Sequence, residues 1–367
     1  MKVLCQREGL LSAFQLASVA VPARDLKPVL RNLKAVADSD RYTLLGTDLE
    51  LGIRLEVRGI KVEEPGEALL PAGRVLSILR ESTDDEISIE ADPQTCLIRG
   101  QFNEFEMGGE DPADFPDVPA FSGDSYHELT GGMLREMIRR TIFAAATENP
   151  RYAVTGILWE LEGDVARLVA TDGRRLAVAD GTAAAKGDHN TKGQTHVVPT
   201  KAMQLLERNL QDADERVLVC LRPNEALFKT ERAMIYSRLV EGRYPPYREV
   251  FPKKQTVKVP LVVGPLYAAV RQAAIMTDDD SKKVVFNFGK NKLTMQARGA
   301  QTGRSKVELP TEYDGKAVDI AFDPKFLTEM LRVLAAEDAL VLELTDSNSV
   351  ALFRCGDKYS YIVMPLS

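Results

Sequence analysis

Two short stretches set carboxylates beside a threonine: Gly46-Thr47-Asp48-Leu49-Glu50 and Ala170-Thr171-Asp172-Gly173-Arg174-Arg175-Leu176. Carboxylates grouped in this way could hold a divalent cation for phosphoryl transfer, with Asp48, Glu50 and Asp172 as ligands. Such a site needs converging ligands and a catalytic base, and no such partners are recognisable in the sequence. A Thr-Asp pair between two strands is more simply a turn, because the Asp side chain bonds to the backbone just beyond it. Of the three histidines, His127 falls in a linker and His189 in a polar loop, and neither these nor His196 has metal-ligand spacing. No phosphate loop, GxSxG or HExxH is present, and Asp278-Asp279-Asp280 reads as a solvated loop after a helix. The expectation is a non-catalytic chain with no metal and no cofactor.

Cations form the second chemical signal. Lys201 and Arg208 lie nearly two helical turns apart, as do Lys325 and Arg332, so each pair shares one helix face away from Leu205, Leu206, Met330 and Leu331. Arg74 and Arg80 repeat the placement with an offset, and Arg135 and Arg139 stack one turn apart with Arg140 beside them. Any one of these helices taken alone reads more simply as an ordinary solvated face. However, Arg74, Lys201 and Lys325 all sit in first turns, where the helix dipole disfavours a cation by roughly 0.3–1 kcal/mol. A locally unfavourable placement that recurs in this way fits a surface presented to phosphates. There is no zinc-finger spacing, helix-turn-helix signature or stacking aromatic run, and Trp159 is the only tryptophan. Binding of this kind would reach the DNA backbone without sequence preference.

The elements that must position these residues recur along the chain. Each third opens with an amphipathic helix: Leu10, Phe14, Ala17 and Val21; then Leu134, Met137, Ile138 and Ile142; then Leu266, Val270 and Ala273. A second helix follows, opened by a proline and a basic residue at Pro71, Pro199 and Pro324, which recur at nearly equal intervals. Strands fill the rest. Leu49, Leu51, Ile53, Leu55 and Val57 alternate with polar residues, and Val217, Val219 and Leu221 and then Leu340, Leu342 and Leu344 do the same. Two Pro-bearing linkers, Gly108–Asp124 and Glu241–Lys254, separate the copies, and the polar loop Asp180–Gln194 reads as mobile. The fold class is α+β, with whole domains repeated over 1–122, 126–252 and 256–367, because solenoid repeats are far shorter.

Composition is that of a globular protein, with 44% hydrophobic and 28% charged residues. No apolar run approaches a bilayer span. The start MKVLCQREGLL carries no signal-like core, so a cytoplasmic chain is expected. Cys5, Cys96, Cys220 and Cys355 are scattered and read as reduced thiols. A net charge of −7 does not exclude nucleic acid, since net charge says nothing about where the charges sit.

With the repeat established, the whole chain resembles the beta subunit of bacterial DNA polymerase III, the replicative sliding clamp. The likeness rests on Gly46-Thr47-Asp48-Leu49-Glu50, Asp114-Phe115-Pro116, Ala170-Thr171-Asp172-Gly173-Arg174-Arg175-Leu176, Glu241-Gly242-Arg243-Tyr244-Pro245-Pro246-Tyr247, the helix openings at Pro71 and Pro199, and the ending Val363-Met364-Pro365-Leu366. It implies three clamp domains per chain and a head-to-tail homodimeric ring, with helices lining the hole and sheets outside. The ring would encircle duplex DNA as a processivity factor and tether the polymerase alpha subunit, the clamp loader and repair proteins through short linear peptides.

By the same resemblance, Arg24, Arg74, Arg151 and Lys201 face DNA, beside Arg135, Arg139, Arg208, Lys325 and Arg332 from the helix faces. A peptide pocket would be built from Val154, Thr171, Gly173, Arg175, Leu176, Pro245 and Val250, with Ile362, Val363, Met364, Pro365 and Leu366 added from the last domain. Ile78 and Phe105 of one subunit would meet Ile275 and Met276 of the next. The chain departs from the family pattern at Glu148 and Glu249, and Ala297-Arg298-Gly299 stands where a third Thr-Asp turn would be. Two rivals are a clamp paralogue serving repair and a metal-dependent phosphoryl-transfer enzyme using the carboxylates above.

Overall fold

The computed structural model describes residues 1–22, 27–148, 151–278, 282–299 and 302–366. Among them are six helices: α1 (Arg7–Ala17), α2 (Ala72–Glu81), α3 (Gly131–Ile142), α4 (Thr200–Asn209), α5 (Val263–Ala274) and α6 (Pro324–Leu331). The strands form four sheets of five, nine, eight and four members. The chain divides into two compact units. One holds Met1–Met133, Ala183–Asn190 and Lys201–Leu239; the other holds Leu134–Thr182, Thr191–Thr200 and Val240–Ser367.

In the first unit, α1 buries Leu10, Phe14 and Ala17 completely, and α2 packs against it through Val75 and Leu79. Their i, i+3/i+4 spacing is what puts these side chains on one stripe. The five-stranded sheet runs Ile60–Glu64, Lys2–Gln6, Glu86–Ala91, Thr95–Arg99, Glu104–Gly108 in spatial order. The nine-stranded sheet is continuous because Leu51–Glu56 pairs antiparallel with Ala233–Arg238, joining strands of the first and second sequence repeats. The first linker is pinned: Phe115 and Val118 are buried with Leu45 and Leu69, and Arg54 Nε donates to the Val118 carbonyl at 2.7 Å.

In the second unit, α5 and α6 pack together, burying Leu266, Val270 and Ala273 from one and Leu327, Met330 and Leu331 from the other. Phe286, Phe322, Phe353 and Tyr361 run through this core with centroids 5.3, 6.3 and 6.5 Å apart, close to the spacing aromatic pairs prefer. The eight-stranded sheet is made continuous by Arg175–Thr182 pairing with Tyr359–Val363. A four-stranded sheet ends in the edge strand Gly303–Pro310.

Several expectations shift by local physics. α1 stops at Ala17 and a 3-10 turn, Ser18–Ala20, follows, which leaves Val21 extended and half-buried beyond the helix. Pro324 occupies the first turn of α6, but Pro71 and Pro199 end the preceding strands and stand just outside α2 and α4. The residue ahead of a helix needs extended backbone, and Pro71 has it at φ −60, ψ 101. Leu49 is not in the strand, which starts at Leu51; it is 43% exposed with φ 76, in the turn before it. The polar loop is held at both ends rather than loose. Ala184–Lys186 pairs with Tyr126–Glu128 in the first unit, and in the second the Leu161 amide donates to Thr191 Oγ1 at 2.8 Å. The four cysteines are free, and burial pushes the Cys5 and Cys96 thiols up to about 12 and about 11, which leaves them protonated and inert.

Gly46 lets α1 sit close to the sheet. A Cβ there would lie 2.8 Å from the Leu33 side chain and 2.9 Å from the Ala17 carbonyl. Gly46→Ala is expected to destabilise the protein by about 1–3 kcal/mol through overpacking. The measurement is urea unfolding. A midpoint equal to that of the wild type would show that α1 can move off the sheet at no cost.

Candidate functional site

The two Thr-Asp stretches are turns of one design. In the first, Thr47 Oγ1 donates to the Leu51 carbonyl and accepts from the Leu49 amide, both at 2.9 Å, while Asp48 Oδ1 accepts from Glu50 and Leu51 amides at 3.1 and 2.7 Å. In the second, Thr171 Oγ1 donates to the Arg175 carbonyl at 2.6 Å and accepts from Gly173 at 3.0 Å. Asp172 Oδ1 accepts from Arg174 and Arg175 amides at 2.9 and 3.1 Å. Residue three of each turn is left-handed, Gly173 at φ 89 and Leu49 at φ 76. Among the described residues no group of three or more acidic, Cys or His side chains is arranged to hold a metal ion.

Beyond the second turn lies an apolar cavity of about 210 Å³, lined by Thr171, Gly173, Arg174, Arg175, Leu176, Pro245, Tyr247, Val250, Ile362 and Met364. The register Arg175↔Val363 and Leu176↔Ile362 creates it. Alternation along the last strand turns Ile362 toward the cavity and Val363 toward the core. Leu176 and Ile362 are nearly fully buried at its base, whereas Val250 and Met364 are 42% and 46% exposed at its rim. The Met364 amide donates to the Arg174 carbonyl at 2.9 Å, which fixes the last segment along one wall.

The second linker supplies the facing wall and is anchored by its tyrosines. Tyr244 donates to the Val169 carbonyl at 3.1 Å and Tyr247 to Glu160 at 2.8 Å, while Arg248 forks onto both Glu160 oxygens at 2.9 and 2.6 Å. Burial, then the bond to Glu160, pushes the Tyr247 phenol up to about 12, so it stays a donor.

Arg175 is the polar centre of this region and is 8% exposed. Its Nε donates to Asp172 Oδ2 at 3.0 Å, Nη2 donates to the Phe143 carbonyl at 2.7 Å, and Nη1 donates to Glu329 of α6. The guanidinium stacks over the Phe326 ring at 4.7 Å and the Phe143 ring at 5.4 Å. Burial opposes its charge, but the bond to Glu329 and its other partners outweigh burial and raise the pKa above the usual arginine value.

The structure thus brings Thr171, Gly173, Arg175, Leu176, Pro245, Val250, Ile362 and Met364 together in one wall-to-wall groove. Val154 and Val363 are buried and do not line it, and Pro365 and Leu366 are also outside the lining, the Leu366 amide donating to the Ala321 carbonyl at 2.8 Å. Sequence reading missed Arg174 and Tyr247, which line the groove, and Glu329, which holds Arg175. The tyrosine sits in the motif already singled out, so its placement was findable; a carboxylate on a distant helix left no local signal.

The expected cations are distributed as follows. In the first unit Arg74 and Arg80 on α2 and Lys201 and Arg208 on α4 are exposed, opposite the buried Val75, Leu79, Leu205 and Leu206. Lys201 Nζ meets Asp48 Oδ2 at 2.6 Å. In the second unit Arg139 and Lys325 are exposed, Arg135 is half-buried, and Arg332 is exposed just past the end of α6. Arg140 is tied to Glu136 at 2.5 Å and is a structural residue. Arg151 is exposed, 5.6 Å over Tyr152, and Arg24 lies outside the described residues. Of the expected subunit contacts, Ile275 is 68% and Phe105 38% exposed, while Ile78 and Met276 are half-buried.

Three models of the DNA polymerase III beta subunit match in order: the N-terminal domain over 1–119, the central domain over 128–246 and the C-terminal domain over 248–367. A beta sliding clamp of Pseudomonas putida is 32% identical over 367 residues, with 98% of each chain covered. One of Escherichia coli K12 is 28% identical over 369 residues, with 100% of each covered. Among solved structures, a sliding clamp from Pseudomonas aeruginosa bound to griselimycin matches with a TM-score of 0.91 at 30% identity, covering 100% of this chain and 99% of that one. A Bacillus subtilis sliding clamp, 23% identical, shares the fold with a TM-score of 0.91 over 100% of this chain and 99% of that one.

Glu329→Gln keeps an acceptor for Arg175 but removes the charge that opposes it, and a hydrogen bond between charged groups is stronger than one to a neutral amide. Glu329→Gln is therefore expected to lower stability by about 1–3 kcal/mol, read as a lower urea midpoint. An unchanged midpoint would mean that Asp172 and Phe143 satisfy Arg175 without α6.

Proposed function

Because the chain belongs to the DNA polymerase III beta-subunit family, we propose that its helices ride on duplex DNA and that the groove at Leu176 receives partner peptides. The protein is a DNA sliding clamp, a non-catalytic processivity factor. One observation carries the DNA-facing part. The second helix of every repeat buries its apolar half and turns its cations to solvent: Arg74 and Arg80, Lys201 and Arg208, Lys325 and Arg332. Arg135, Arg139 and Arg151, and Arg24 by family resemblance, are further cations that the proposal assigns to phosphates. Contact with phosphates carries no sequence information, so the protein translates along DNA, and closure around the duplex rather than affinity keeps it attached.

The chain is organised as three domains, 1–122, 126–252 and 256–367, and two chains join head to tail. Glu104–Gly108 and Gly303–Pro310 are edge strands of their sheets, with one row of backbone groups each left for a partner strand. Phe105 and Ile78 of one subunit meet Ile275 and Met276 of the other there. The groove takes a short peptide with Leu or Phe anchors: an apolar floor at Leu176 and Ile362, an adaptable Met364 rim, and few polar groups suit such a side chain. Val154, Val363, Pro365 and Leu366 support that pocket from outside its lining. Glu249, exposed beside Val250, disfavours acidic peptides. No described helix is long and apolar enough to cross a membrane, and the place of action is the bacterial cytoplasm, at the nucleoid.

After loading, the protein is expected to remain on circular DNA at high salt and to run off linearised DNA. Equal loss from both would reduce its attachment to ordinary electrostatics. Deleting Met364 to Ser367 is expected to abolish binding of polymerase-tail peptides while leaving the oligomeric state unchanged. Retained peptide binding would place the pocket elsewhere.

A further inference from the structure

The second copy of the Thr-Asp turn lines the groove, but the first does not, and each copy places one carboxylate oxygen outside the turn it builds. In both copies Oδ1 is engaged by two amides of the turn. Oδ2 points elsewhere, and in both copies it meets a cation of a candidate binding surface: Arg175 at 3.0 Å from Asp172, and Lys201 at 2.6 Å from Asp48. The first pair is local. The second joins the turn to α4, 153 residues away in sequence.

The two members of the Asp48–Lys201 pair differ in freedom. The Asp48 side chain is 17% exposed and locked by its turn, whereas the Lys201 side chain is 47% exposed on a flexible stem. An ammonium has three donors, and here one is held by a carboxylate that cannot swing away. The Lys201 end of the pair is open to solvent, so a phosphate arriving there can share the ammonium with Asp48 through its remaining donors.

We propose that Asp48 is a positioning residue for DNA contact, acting as a built-in rival of the phosphate at Lys201. This rests on the reading of Lys201 as a DNA-facing cation. The fixed carboxylate aims the ammonium and at the same time weakens its hold on any one phosphate. A cation that always has an anion to return to releases DNA easily, which suits a protein that must move along its ligand. Asp172 carries out the aiming half of the same role on Arg175 at the groove, where the cation is buried and stays put.

The test is equilibrium binding of the full chain to a short fluorescent linear duplex over a salt series, read by anisotropy. Asn keeps the Oδ1 acceptor of the turn, so Asp48→Asn removes only the rival charge. It is expected to tighten binding about threefold at low salt and to steepen the log–log salt slope by up to about 0.9, the contribution of one further phosphate contact. In a Lys201→Gln background the same substitution is expected to change neither. A slope unchanged by Asp48→Asn, with Lys201→Gln still flattening it, overturns the proposal and leaves the DNA-facing reading intact. If Lys201→Gln has no effect even in the Asp48→Asn background, Lys201 is off the DNA path and both fall. Should Asp48→Asn lower the unfolding midpoint, Lys201→Gln and Arg208→Gln decide in the native turn. A smaller loss of slope for Lys201 supports the rivalry, and an equal or larger one refutes it.

Discussion

One backbone register governs the second unit. Arg175–Ala179 runs antiparallel to Tyr359–Val363, and the groove exists only because Leu176 falls opposite Ile362. Side chains alternate along a strand, so a slip of one residue would send Ile362 into the core and Val363 into the groove. The register is fixed from several directions. The Met364 amide bonds to the Arg174 carbonyl, the Asp180 amide bonds to the Lys358 carbonyl at 2.8 Å, and the Arg175 guanidinium reaches Glu329 on α6. The first unit repeats the arrangement where pairing of Leu51–Glu56 with Ala233–Arg238 joins two sequence repeats into one sheet.

That constraint explains which features were legible in the sequence. Local periodicity located α1, α3 and α5, and the Thr-Asp pairs announced their turns, because both depend on neighbours along the chain. Leu205, Leu206, Met330 and Leu331 were rightly set opposite the cations for the same reason. Pairing between repeats is not local, so nothing near residue 176 foretells a strand near residue 362, and the groove came from resemblance. Glu329 was invisible on the same grounds: its role is defined by an arginine on a different element. Leu49 was misplaced because apolar alternation continued past the strand's start, and a left-handed leucine is not something a pattern suggests. The loop Asp180–Gln194 looked loose by composition, but composition does not reveal that Ala184–Lys186 would find a strand to pair with.

The acidic total and the cationic helices are compatible because charge is sorted by element. A net charge of −7 keeps like molecules apart and discourages indiscriminate binding of nucleic acid. The cations on α2, α4 and α6 supply attraction only where those helices are presented. Several other arginines take no part in such a surface: Arg140, Arg167 and Arg175 are each held by carboxylates, at Glu136, Asp180 and Glu329 respectively. Counting basic residues would therefore misjudge the DNA-facing area, and the partner of each cation decides its availability.

Leu49 shows which residues of the repeated turn define its shape. Its backbone matches that of Gly173 in the next copy, φ 76 against 89, although leucine disfavours that conformation. The bonds from Thr47 and Asp48 impose the shape regardless of which side chain occupies the apex. The residue at the apex can therefore differ between copies while the residues that enforce its conformation are the same. The turn is defined by its threonine and aspartate, and a comparison of the copies that looked for the glycine would overlook it.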